Sequence, residues 1–167
     1  MRKVSLILIM AICSFAAFAQ NTDNSDYNEV KKLVESMDFI FEASSMLPRE
    51  GSSRSLVTNL NYIKVKDGYS EAMLPYFGNY RLTSGGGMIS FKDSLEKLRF
   101  SENKRKSLIT LTYQVRNDQE RFNVQLSVGS SGWATVVIKS INRPSISYYG
   151  KLKAINKNED IAKKGND

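Results

Sequence analysis

Three consecutive alternating runs near the C-terminus constrain this 167-residue chain more than any other feature. Ile109, Leu111, Tyr113 and Val115 alternate with Thr110, Thr112, Gln114 and Arg116, and Phe122, Val124, Leu126 and Val128 alternate with Asn123, Gln125 and Ser127. Trp133 to Ile141 follows, rich in β-branched residues. Successive side chains of a strand point to opposite faces, so each run reads as a half-buried strand. Only the polar turn Asn117–Glu120 and the turn Gly129-Ser130-Ser131-Gly132 separate them, and connections that short join antiparallel neighbours. The spacing therefore predicts a β-meander over the last third of the chain.

Upstream, the apolar period changes twice. Tyr27, Val30, Leu33, Val34 and Met37 mark one face of an amphipathic helix of about three turns, and Asp26 with Glu29 reads as its capping box. From Asp38 the period becomes two: Phe39, Phe41 and Ala43 predict a first strand, with Pro48 and Gly51 ending the segment. Leu60, Tyr62, Ile63 and Val65 predict a second strand closed by Asp67-Gly68, a strong hairpin signal that returns Tyr69–Leu74 as a third. Leu74 to Tyr80 and the run Ser84–Gly87 read as a loop or irregular edge, because proline and glycine disfavour a regular ladder. Met88–Lys92 predicts another short strand. Leu95, Leu98 and Phe100 fit a helical turn or a further strand. Ile146–Gly150 predicts one short edge strand, and from Lys153 the chain has little to bury and reads as a frayed tail.

The N-terminus carries an address. Arg2 and Lys3 precede an apolar run, and Ala17-Phe18-Ala19 is the small-x-small pattern of signal-peptide cleavage, placing the mature start at Gln20. The run is shorter than the roughly 20 residues that span a bilayer. Cys13 follows Ile12 instead of a small residue, so no lipid anchor is expected. Residues 1–19 read as a leader, 20–25 as a spacer, 26–152 as a single domain and 153–167 as a tail. Export to the periplasm or the exterior follows. From Gln20 onward the chain has no cysteine, and it has no histidine anywhere, which removes disulfides, thiolate nucleophiles, Ser-His-Asp triads and His- or Cys-based zinc sites. Without the leader's two basic residues the formal charge falls from +7 to +5, a mild attraction to anionic surfaces. No cofactor, metal or nucleic-acid partner is expected, and the mature form is not expected to span a membrane.

The order of these pieces resembles the secreted Bacteroidetes family catalogued as domain of unknown function 4251. The resemblance rests on Phe39-x-Phe41-x-Ala43, on Leu74-Pro75-Tyr76-Phe77-Gly78, on the glycine-rich run leading to Ile89-x-Phe91, and on Ile146-Ser147-Tyr148-Tyr149-Gly150. It implies a leader, one compact α+β domain with a prominent antiparallel sheet, and no established activity or catalytic residue to carry over.

Four groups are candidate sites. Tyr76, Phe77 and Tyr80 beside Gly85–Gly87 would make a recognition loop, since tyrosine offers rigid contact area with a polar tip. The competing and favoured reading is that they plug one end of the core. The glycine run lacks the Lys-Ser/Thr ending and the following helix of a phosphate loop. Lys92, Lys97, Arg99, Lys104, Arg105 and Lys106, interleaved with Asp93, Glu96 and Glu102, read as a solvated turn. Glu71, Asp93, Glu96 and Glu120 are the carboxylates available to a histidine-free glycosidase, which needs two of them about 5–10 Å apart. Trp133 would stack on a ligand or pack. Tyr148 and Tyr149 point to opposite faces, so one is buried while the other meets a partner.

These readings converge on an α+β domain, with an N-terminal helix packed on a curved antiparallel sheet of about seven or eight strands. The function expected is non-enzymatic binding of a protein, peptide, glycan or other envelope component, with Tyr76, Phe77, Tyr80 and Tyr148 as candidate contacts. The alternative is a small hydrolase acting on glycans through Asp or Glu.

Overall fold

The computed structural model describes residues 25–49, 51–56, 61–77 and 87–155. The expected leader with Ala17, Ala19 and Gln20, the start of the second expected strand, Tyr80 with Gly85 and Gly86, and the tail beyond residue 155 lie outside the described residues.

One helix, α1 (25–35), precedes ten strands. These are β1 (Phe39–Pro48), β2 (Arg54–Ser55), β3 (Tyr62–Lys66), β4 (Tyr69–Tyr76), β5 (Gly87–Ser94), β6 (Glu96–Asn103), β7 (Leu108–Arg116), β8 (Arg121–Gly129), β9 (Trp133–Ser140) and β10 (Ile146–Ala154), with a 310 turn at Lys104–Lys106. They form one antiparallel sheet in the order β5-β4-β3-β1-β10-β9-β8-β7-β6, with β2 attached to β1. The meander β7-β8-β9 pairs as its alternation requires, and Asp67-Gly68 turns β3 into β4 with both residues at positive φ.

The sheet curls until distant strands meet. Phe91 of β5 lies 5.4 Å from Phe122 of β8 between ring centroids, and the buried Ser70 of β4 shares a hydrogen bond with the buried Tyr113 of β7 at 3.1 Å. The hydrogen-bonded path stays open, with β5 and β6 at its two edges, yet a single residue, Leu95, carries the chain from one edge strand into the other. A register shift between Glu96 and Arg99, with Lys97 at φ 51°, marks the bend. Such bulges re-aim a strand at a sheet corner. The concave face is filled by the apolar half of each alternation, including Phe39, Phe41, Leu74, Ile89, Leu126 and Ile138. Val34 of α1 is buried in the same core, with Val30, Leu33 and Met37 packed against it. Tyr27 and Lys31 hold the helix to edge strand β6 through Glu102, at 2.9 and 2.8 Å.

Several expectations are corrected. Among the described residues the sheet has ten strands instead of about seven or eight. Asp26 lies within the first helical turn instead of ahead of it. Leu74, Pro75 and Tyr76 are not loop: they complete β4, paired with Ile89, Met88 and Gly87. Among the described residues, β4 past Met73 pairs with β5 alone, the edge-like setting in which a strand tolerates proline. The 96–103 segment is a strand, so the basic group is spread over β5, β6 and the 310 turn instead of forming one turn. Finally, β10 is no short edge strand. It runs nine residues through Lys153 and Ala154 and lies between β1 and β9. Gly150 permits this, because a Cβ there would fall 2.0 Å from the Glu42 carbonyl oxygen, beside the bulge of β1.

Candidate functional site

The aromatics singled out in the sequence divide between core and surface. Tyr148 and Tyr76 are buried, so neither offers a face to a ligand. The Tyr148 hydroxyl donates to the Pro75 carbonyl at 2.8 Å, and the Tyr76 hydroxyl to the Pro144 carbonyl at 3.3 Å. Burial pushes both phenols above their ordinary range. Their role is to lock the end of β4 to the start of β10, which is the core-plug reading. Phe77 is exposed, with the Arg54 guanidinium 4.8 Å over its ring.

Beside this plug lies a buried ion pair. Asn117 shapes the β7–β8 turn by accepting from the backbone N–H of Gln119 and Glu120 at 3.0 and 2.9 Å. The Glu120 carboxylate, fully buried, pairs with Arg143 and accepts from the Ser140 hydroxyl. The Arg143 guanidinium lies 4.9 Å over the Tyr76 ring and 5.8 Å from Phe122. It also donates to the Met88 carbonyl at 3.4 Å. Every group here has a protein partner, so the cluster ties the β7–β8 turn and the β9–β10 connection to strand β5.

The other carboxylates are similarly engaged: Glu71 stands by itself, while Asp93 and Glu96 share one arginine between them. Glu71, on the outer face of β4, accepts from the Tyr62 hydroxyl at 2.6 Å and pairs with Lys92 at 3.2 Å. The Tyr62 bond leads the interactions that hold this carboxyl below its ordinary range, and desolvation first, then Glu71, pushes Tyr62 up to about 12. Asp93 accepts from the backbone N–H of Arg116 at 3.1 Å, and Asp93 and Glu96 flank the Arg116 guanidinium at 3.7 and 3.9 Å.

The convex face of the meander is different. Trp133 and Tyr149 stack there with ring planes 4° apart and centroids 5.0 Å apart, and they remain 41% and 48% exposed. Trp133 stands opposite Lys151, and Tyr149 is the next outward residue of β10. Registers then lay out the rest. Ser127 faces Thr110 and Thr135, Gln125 faces Thr112, and Asn123 faces Gln114 and Lys139. The Gln114 amide donates to Asn123 Oδ1 at 2.6 Å, and Thr110 and Ser127 share a 3.4 Å contact. Arg99 adjoins Thr112 from β6, and Arg116 stands opposite Arg121. The result is rows of hydroxyls and amides bounded by cations on one side and a stacked aromatic pair on the other.

Sequence reasoning weighed Trp133 and Tyr149 separately but did not join them, because residues sixteen apart become neighbours only through the β9–β10 register. The polar halves of the alternations were visible, but their assembly into one surface was not. Among the described residues no helix is long and apolar enough to cross a membrane.

No curated protein matches this chain. Its fold is similar to the crystal structure of a DUF4251 family protein from Bacteroides eggerthii DSM 20697, with a TM-score of 0.68 and 19% sequence identity, covering 89% of this chain and 99% of that one. A match of residues 21–152 to the model of that same family, described as a domain of unknown function, spans α1 and all ten strands through Leu152, and by it the chain belongs to the DUF4251 family.

Proposed function

We propose that this protein is a non-enzymatic binding module, exported to the cell envelope by its leader, that meets its partner on the convex face of the meander. One observation carries the reading. Two large aromatics, Trp133 and Tyr149, stand stacked in solvent on a sheet whose concave face is already packed with other side chains. Exposed aromatics of this kind are enriched where a protein meets a partner. The state of the carboxylates supports binding over hydrolysis. A general acid requires a pKa raised toward neutrality, whereas that of Glu71 is moved down. Glu120 is fully engaged with Arg143 and Ser140.

The test is capture from envelope extract by the wild-type protein, by Trp133→Ala/Tyr149→Ala and by Phe77→Ala, each checked for folding by circular dichroism. Wild type and Phe77→Ala are expected to retain the same partner and the double variant to lose it. Loss with Phe77→Ala and retention by the folded double variant would move the interface to the end of the sheet.

A further inference from the structure

We infer that the convex face of β6–β9 docks an acidic polysaccharide, a polymer of sugars bearing carboxylates. This deepens the binding reading above and rests on it.

Charge comes first. The strands β7, β8 and β9 contain no acidic residue, yet they present Arg116, Arg121 and Lys139 outward, and β6 adds Arg99. Among the described residues Glu96 of β6 and Asp93 of β5 both reach the Arg116 guanidinium, at 3.9 and 3.7 Å, while Arg99, Arg121 and Lys139 have no ion pair. Arg116 and Arg121 stand directly opposite each other in the ladder. Like charges so placed destabilise a sheet; Asp93 and Glu96 offset Arg116, which leaves Arg121, with Arg99 and Lys139, to take an external anion. The surface is therefore complementary to negative charge delivered along a line, not at a single point.

What lies between the cations selects the kind of polyanion. The rows carry Thr, Ser, Asn and Gln, whose hydroxyls and amides both donate and accept. Outward side chains recur about every 4.8 Å across strands and about 7 Å along them, a lattice on the scale of successive sugar rings. A lipid surface would instead require an apolar face to bury among acyl chains, and on β7–β10 this face offers the Trp133–Tyr149 pair with half-buried Leu108 and Val137. At the edge of the rows the free faces of that pair suit the C–H face of a pyranose, since aromatic faces carry negative potential.

The test measures retention of the purified full-length protein on polygalacturonate, on neutral dextran and on phosphatidylglycerol vesicles. Retention on polygalacturonate alone is expected, weakening as salt shortens the screening length. Arg121→Gln/Lys139→Gln is expected to weaken it at least about tenfold, a loss of about 1.4 kcal/mol, and Trp133→Ala/Tyr149→Ala comparably. Lys64→Gln/Lys66→Gln on β3, which removes the same charge elsewhere, is expected to leave retention unchanged. Equal weakening by the β3 variant would reduce the effect to net charge and overturn the inference, as would retention on vesicles instead of polygalacturonate. Failure on polygalacturonate with continued capture of an envelope partner through Trp133 and Tyr149 overturns this inference and leaves the binding reading standing. Loss of both removes both.

Discussion

Replacing Arg143 by methionine leaves the Glu120 carboxylate buried without its cation. Glu120 has no exposed side-chain surface and Arg143 only 9%, so water cannot take over as it would for a surface pair. Methionine keeps most of the aliphatic length of the side chain but removes the guanidinium over Tyr76 and Phe122, so charge, hydrogen bonds and these ring contacts are lost together. Removing one partner of a buried pair costs about 3–5 kcal/mol. Equilibrium unfolding in urea reads this directly: with a slope of about 2 kcal/mol per molar, the midpoint falls by roughly 1.5–2.5 M. Glu120→Gln in the same chain removes the stranded charge while keeping an acceptor for Ser140, and is expected to restore more than half of the loss. A drop of less than about 1 kcal/mol in Arg143→Met, the range of solvated pairs, would refute the view that this cluster is dry. A double variant no better than the single one would locate the cost in packing instead of charge.

Other outcomes follow from single contacts. Gly150→Ala places a Cβ 2.0 Å from the Glu42 carbonyl oxygen and 2.8 Å from Ala43 Cα. Backbone on both sides cannot step aside, so a loss of at least about 2 kcal/mol is expected by urea unfolding. Gly129→Ala, whose Cβ would meet nothing nearer than 4.0 Å, should stay within about 1 kcal/mol of wild type; near-equal costs would show that the tight approach is not what selects glycine at 150. Tyr62→Phe removes the donor that helps hold Glu71 low, and carboxyl NMR should show the Glu71 titration moving up toward its ordinary value. The depressed Glu71 contributes stability that is present above the ordinary carboxylate pKa and lost as pH falls through the folded value. Tyr62, raised to about 12, contributes stability that is lost as pH climbs from about 10 toward that value. An unmoved Glu71 titration in Tyr62→Phe would sink the hydrogen-bond account.

What could be read in the sequence was local. Alternation over 109–116 and 122–128 announced strands and chose their inward faces, because side-chain period is a property of the backbone alone. Asp67-Gly68 announced its turn because both residues accept positive φ. The opposite facing of Tyr148 and Tyr149 followed from the same period, although which of them lay inward did not.

Only the tertiary structure decided the position of β10. An isolated strand pattern does not reveal whether it has one neighbour or two, and the place between β1 and β9 depends on the close approach of Gly150 to the β1 bulge. Tyr76 likewise became core because the curled sheet brought Pro144 and Arg143 over it. The paired aromatics, the opposed arginines and the rows between them exist only once register is set. Register is the sum of contacts between segments distant in sequence, and no single segment encodes it.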